Sequence, residues 1–119
     1  MEFSARLMRI AHDDAQIRLK RVVSMEAERF PKLAQRFYEL GAKRALEELS
    51  RYFHEQIKRG RLIKEDTLLM SEHLFSLITS GPVRWKDLGI RCTYSSKDSK
   101  RRLQAAVKAF LRAYSRKRR

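Results

Sequence analysis

A chain of 119 residues, 43% apolar and with only four glycines and two prolines, has the size and content of one helical domain, since folding at this length buries roughly two thirds of the unfolded surface. Composition of this kind excludes a disordered segment. The single cysteine, Cys92, excludes an internal disulfide and points to a reducing compartment, the cytoplasm. The formal charge of +14 invites a polyanionic partner, but it is unevenly spread: residues 97–119 hold ten basic residues against one acid, and residues 1–96 hold eighteen against thirteen. No apolar run approaches the ~18 residues of a membrane span, and charges throughout "MEFSARLMRIAHDD" leave no room for a signal peptide.

Apolar spacing predicts an all-α bundle of about six helices with short connections, as one domain over residues 1–119. The first is short, around Phe3 to Ile10. Asp13 or Asp14 is placed to cap the second, whose apolar set Ala15, Leu19, Val22 and Val23 keeps helical spacing to about Arg29. Proline lacks an N–H and pushes the preceding residue out of the helical region, so Phe30 should be extended and Pro31 should open the third helix. That helix should bury Leu33, Ala34, Phe37 and Tyr38 and end on Gly41 in a left-handed conformation.

The fourth helix carries the stripe Ala45, Leu46, Leu49, Tyr52, Phe53 and Ile57, and stops at Gly60 after Lys58 and Arg59, cations suited to a helix C-terminus. The fifth, capped near Asp66 or Thr67, spreads Leu68, Leu69, Met70, Leu74, Phe75, Leu77 and Ile78 around most of its circumference. A helix apolar nearly all round must pack on both sides, and a second copy of the chain supplies the second side. "SGPVRWKDLG" ends or kinks it, and "RCTYSSKDSKRR" reads as a polar, basic connection. The sixth helix has a seam of Leu103, Ala106, Val107, Phe110, Leu111 and Tyr114, with Ala105, Ala109 and Ala113 beside it. Residues 113–119 should form a frayed basic tail.

No catalytic constellation emerges. His54 and His73 fall on different helices, His12 sits beside Asp13 and Asp14, and there is no HExxH pair, phosphate-binding glycine loop or G-x-S-x-G elbow, so neither catalytic nor metal-ligating residues are assigned and no cofactor is expected. The short link at Gly41 would permit a helix-turn-helix, but Glu47, Glu48 and Glu55 on the exposed side of its second helix would oppose phosphate. Met25, Phe30, Phe37, Tyr38, Phe53, Phe75 and Trp85 are large enough to line a pocket, with His54, His73, Tyr52 or Glu72 to orient a ligand, although periodicity alone favours a core role for most of them.

The stretch "RVVSMEAERFPKLAQRFYELGAKRALEELSRYFHEQIKRGRLIKEDTLLMSEHLFSLITSG" resembles the C-terminal domain of TetR-family transcriptional regulators, particularly the AefR-like type. The elements that carry the resemblance are Glu26 or Glu28, Arg29-Phe30-Pro31, Leu33, Phe37-Tyr38, Gly41, Arg59-Gly60, Leu62 and Asp66, with "AAVKAFLRAY" similar to the group's last helix. Ala42 departs from the pattern, where relatives often carry proline. The resemblance spans roughly residues 3 to 115.

The resemblance implies a homodimer whose last two helices form a four-helix bundle across a two-fold axis, with Leu74, Ile78, Val107, Phe110 and Leu111 as interface residues. It also implies a small apolar or amphipathic effector, held near Met25, Phe37, Phe53, His73 and Phe75. DNA would be contacted only through an N-terminal helix-turn-helix domain, for which the residues before Phe3 leave no room; no membrane is involved. The rival reading is a basic, nucleic-acid-associated helical protein that uses its last helix and C-terminal tail.

Overall fold

Proline at position 31 sets the first visible corner of the chain. In a computed structural model that describes Arg6, Arg9 and residues 13–90 and 95–116, α1 (Asp14–Glu26) gives way to a turn before Pro31 opens α2 (Pro31–Leu40). Phe30, at φ −130° and ψ 71°, leaves the helical region as a residue before proline must. The constraint reaches further back than the spacing predicts: α1 stops at Glu26 rather than near Arg29, and the Phe30 N–H closes the turn on the Glu26 carbonyl at 2.8 Å. The remaining helices are α3 (Ala42–Lys58), α4 (Thr67–Thr79), α5 (Pro82–Asp87) and α6 (Ser96–Tyr114). The described residues are helical throughout apart from turns and connections, in keeping with the all-α expectation. The first predicted helix, Phe3 to Ile10, lies outside the described residues except for Arg6 and Arg9, as do His12 and Cys92.

Glycine does its conformational work at a different place from the one predicted. Gly41 does not adopt a left-handed conformation: its φ is −113°, and α3 starts at the next residue. Its N–H instead bonds the Phe37 and Tyr38 carbonyls at 3.2 and 3.3 Å. The left-handed stop is Gly60, φ 77°, where the chain leaves α3 for the loop to α4. That next helix is capped by Asp66, whose Oδ1 accepts from the Leu68 N–H at 2.9 Å and the Leu69 N–H at 3.2 Å. α6 begins inside what looked like a connection, because Ser95 Oγ accepts from the Asp98 N–H at 3.1 Å and Asp98 supplies a negative charge in the first turn.

The chain divides into two compact units. One contains α1, α2 and α5; the other contains α3 from Ala45, α4 to Ile78, and α6. In the first, α1 packs on α2 and α5, and two ion pairs tie α1 to α5: Lys20 to Asp87 at 2.7 Å and Lys86 to Asp14 at 3.4 Å. The buried residues of α1 are Ile17 and Val23, not the predicted Ala15, Leu19 and Val22. α2 buries none of its residues: Leu33 and Tyr38 are exposed and Ala34 and Phe37 half-buried.

The second unit holds the larger core. α3 contributes Leu46, Leu49 and Phe53, α4 contributes Met70, Leu74 and Ile78, and α6 contributes Ala106 and Phe110, all buried. Phe53 and Phe110 stack with ring centroids 4.9 Å apart and planes at 23°, an arrangement that adds to the area the two rings remove from water. Gln56, buried on α3, is satisfied by Arg61 Nη1, which donates to its Oε1 at 3.1 Å. Across the start of α4, the Ser50 and Thr67 hydroxyls share a 2.6 Å hydrogen bond.

Residues 113–116, expected to fray, are tied down. The Ile63 N–H donates to the Tyr114 carbonyl at 2.9 Å and the Arg116 N–H to the Arg61 carbonyl at 3.1 Å, so the loop after α3 holds the end of α6. Buried Leu62 sits between these two bonds and anchors the clasp. Residues 117–119 lie outside the described residues.

Candidate functional site

α4 is apolar on several sides, and burial sorts those sides into two classes. Met70, Leu74 and Ile78 follow at four-residue steps and face inward, together with Ser71, whose Oγ donates to the Thr67 carbonyl at 2.7 Å. One step round the helix, Leu69, His73 and Leu77 form a parallel row that stays exposed, the two leucines at 45% and 37%. On α6 the inward residues are Ala106 and Phe110, while Leu111 is 43% exposed and Val107 and Tyr114 are half-buried.

A polar contact joins the exposed side of α4 to α6. His73 Nδ1 and the Tyr114 hydroxyl share a 2.5 Å hydrogen bond, and their rings stack with centroids 5.9 Å apart at 27°. Tyr114 in turn lies 4.9 Å from Phe110, ring to ring, so the surface pair continues the aromatic stack of the core. Burial raises the Tyr114 hydroxyl above the ordinary tyrosine value of 10.0, and the Glu65 carboxylate pushes in the same direction. The hydroxyl is therefore a neutral hydrogen-bonding group at physiological pH, and the face around it is apolar and aromatic.

Three of the residues expected at an interface from the sequence lie in the core of the single chain. Leu74, Ile78 and Phe110 are buried within the single chain, so they have almost no surface left for a partner. Of that set, Leu111 is exposed and Val107 partly so; Leu69, His73 and Leu77 form the outward row of α4. Leu68, Leu69 and Met70 are consecutive, so spacing alone does not say which of them faces the core; only Met70 is buried.

The residues expected near an effector divide between the two units. Met25 on α1 is 79% exposed and Phe37 on α2 half-buried. In the other unit, Phe53 is packed in the aromatic core, His73 is exposed against Tyr114, and Phe75 is half-buried on α4. No group of three His, Cys, Asp or Glu side chains among the described residues is arranged to hold a metal ion. No helix among them is long and apolar enough to cross a membrane.

Comparison with known proteins places this geometry. Residues 1–116 match the family described as AefR-like transcriptional repressor, C-terminal domain. The chain superposes with a TM-score of 0.87 on the crystal structure of a protein from Mesorhizobium loti MAFF303099 assigned to the TetR family of transcriptional regulators, at 28% identity over 94% of this chain and 55% of that one. A second structure, the flavonoid-responsive regulator FrrA, matches with a TM-score of 0.75 at 24% identity, over 84% of this chain and 50% of that one, and shows a shared fold. The chain thus spans about half the length of the structures it matches. No curated protein matches it. These relatives are regulators, and the chain is a regulator-type domain rather than an enzyme. With nearly its whole length matched, the chain belongs to the TetR family of transcriptional regulators, as a C-terminal domain of the AefR-like type.

Proposed function

We propose that this domain senses a small apolar or amphipathic effector and dimerises, in the cytoplasm, so that effector binding controls DNA contact by a helix-turn-helix domain of the same regulator. The observation that carries the dimer is the outward row of Leu69, His73 and Leu77 on α4, with exposed Leu111 and half-buried Val107 on α6, the helix whose Tyr114 meets His73. Exposed apolar residues of this kind gain by meeting a copy of themselves: a two-fold axis pairs each row with its own mate and needs no second protein. The His73 Nδ1 and the Tyr114 hydroxyl satisfy each other, so covering that pair leaves neither of these two atoms without a partner.

The mechanism is one of differential binding. An effector that fits one arrangement of a dimeric sensor better than another shifts the population toward it by its difference in affinity, and the spacing of the attached DNA-reading domains follows. Sedimentation equilibrium of the 119-residue chain tests the dimer, and a monomer at tens of micromolar would overturn it. A thermal-shift screen of small apolar and aromatic compounds tests the sensor. Flavonoids belong in that screen because a protein of the same fold is flavonoid-responsive. A saturable rise in Tm with concentration supports effector binding, and no rise with any compound class counts against it.

A further inference from the structure

The outer side of α6 carries charge of one sign. Lys97, Arg101, Gln104, Lys108 and Arg112 follow at steps of four, three, four and four residues and are all exposed. They form a single stripe on the side of the helix opposite buried Ala106 and Phe110. Because that inner side is locked in the core, the stripe cannot turn away from solvent. Arg101 pairs with Asp98 at 3.2 Å; Lys97, Lys108 and Arg112 have no carboxylate partner among the described residues.

An ordinary solvated helix face looks different, and α3 of the same chain provides the comparison. Its exposed side interleaves Lys43, Arg44, Arg51 and Lys58 with Glu47, Glu48 and Glu55, and Glu55 pairs with Arg59 at 3.5 Å. On α6 the four-residue pairs Lys97–Arg101 and Lys108–Arg112 place like charges over one another, which destabilises a helix. A partner that brings negative charge relieves that repulsion.

We propose that this stripe is a sequence-independent contact for the phosphate backbone of duplex DNA. The fifteen helical rises from Lys97 to Arg112 span ~22 Å, about two thirds of a turn of B-DNA, so the cations are laid out on the scale of one strand's run of phosphates. Lysine, arginine and glutamine are all donors to phosphate oxygen, and none of these side chains needs to read a base. A lipid surface fits less well, because the apolar side that a membrane-bound helix would insert is already buried in the chain. The family works at DNA, so the polyanion is at hand. The contact adds to the sensor function and does not depend on the dimer.

The test is anisotropy of a short random-sequence duplex titrated with the 119-residue chain at several salt concentrations. Four cations on phosphate predict a log–log salt slope of about −3.6. The variant K97Q/R101Q/K108Q/R112Q should lose most of that slope, and K108Q/R112Q about half of it. A control of equal net charge, K32Q/R44Q/R51Q/K64Q, removes four exposed cations scattered over the rest of the chain and should keep it. Circular dichroism confirms that each variant is helical. Equal loss in the stripe and control variants would overturn the proposal in favour of net charge alone. Tighter binding of the chain to phosphatidylglycerol vesicles or polyglutamate than to duplex at the same salt would overturn it in favour of another partner, and no binding at low salt would refute it outright.

Discussion

Replacing Leu111 by alanine separates the interface reading from a purely structural one. Leu111 is 43% exposed in the single chain, so roughly two fifths of its apolar surface remains to be covered. Full burial of a leucine side chain contributes ~1.5–3 kcal/mol, so covering that remainder contributes ~0.6–1.2 kcal/mol per copy and about twice that in a two-fold dimer. The substitution should therefore weaken the dimer roughly 7- to 50-fold in Kd, at 1.4 kcal/mol per tenfold. It should leave the fold of each copy close to unchanged. Leu74→Ala makes the opposite demand: its side chain is fully buried inside the chain, and a buried leucine replaced by alanine costs about 2–5 kcal/mol of folding stability. Sedimentation equilibrium gives the Kd, and chemical denaturation at fixed protein concentration gives the stability. An unchanged Kd for Leu111→Ala, or a weakened dimer with unchanged unfolding for Leu74→Ala, would refute the assignment of these two rows.

Three further outcomes follow from the same structure. Phe53→Ala and Phe110→Ala should each cost about 3–5 kcal/mol, with a coupling of ~0.5–1.5 kcal/mol in a double-mutant cycle because the rings stack at 4.9 Å; strict additivity would show that the stack contributes nothing beyond burial. Asp66→Ala removes the acceptor of two N–H groups at the start of α4 and should cost about 1 kcal/mol, with Asp66→Asn close to neutral; equal effects of the two changes would refute capping as the cause. Tyr114 has a hydroxyl pKa raised on folding, so its stabilising contribution is complete below the unfolded tyrosine value of 10.0 and is lost as pH rises through the higher folded value. Unfolding free energy should accordingly fall in alkali above about pH 10, and Tyr114→Phe should flatten that fall; an identical alkaline profile in the variant would exclude Tyr114 as its source.

What the sequence determined by itself is local. Pro31 breaks the chain because its ring removes an N–H and restricts Phe30, whatever surrounds them. Gly60 and Asp66 stop one helix and start the next through conformational freedom and a side-chain acceptor two or three residues away. The stripe of α3 points Leu46, Leu49 and Phe53 inward because polar residues fill the rest of its circumference. The motif around Arg29-Phe30-Pro31 carried the family resemblance for a related reason: a corner with this geometry tolerates few alternatives.

Tertiary structure decided the rest. On α4, apolar side chains occur on several sides, and the inward place of Leu74 and the outward place of Leu69 and Leu77 depend on which neighbour arrives, a fact no periodicity contains. α2 has the spacing of a half-buried helix and yet fully buries none of its residues, with Ala34 and Phe37 only half-covered, because spacing states which residues share a side and not how much covers it. The meeting of His73 with Tyr114 joins positions forty-one residues apart, and the clasp of Arg61 and Ile63 on the end of α6 does the same over a longer separation. Contacts of that kind are made only when the helices pack, since their energy depends on distance in space while a sequence records only distance along the chain.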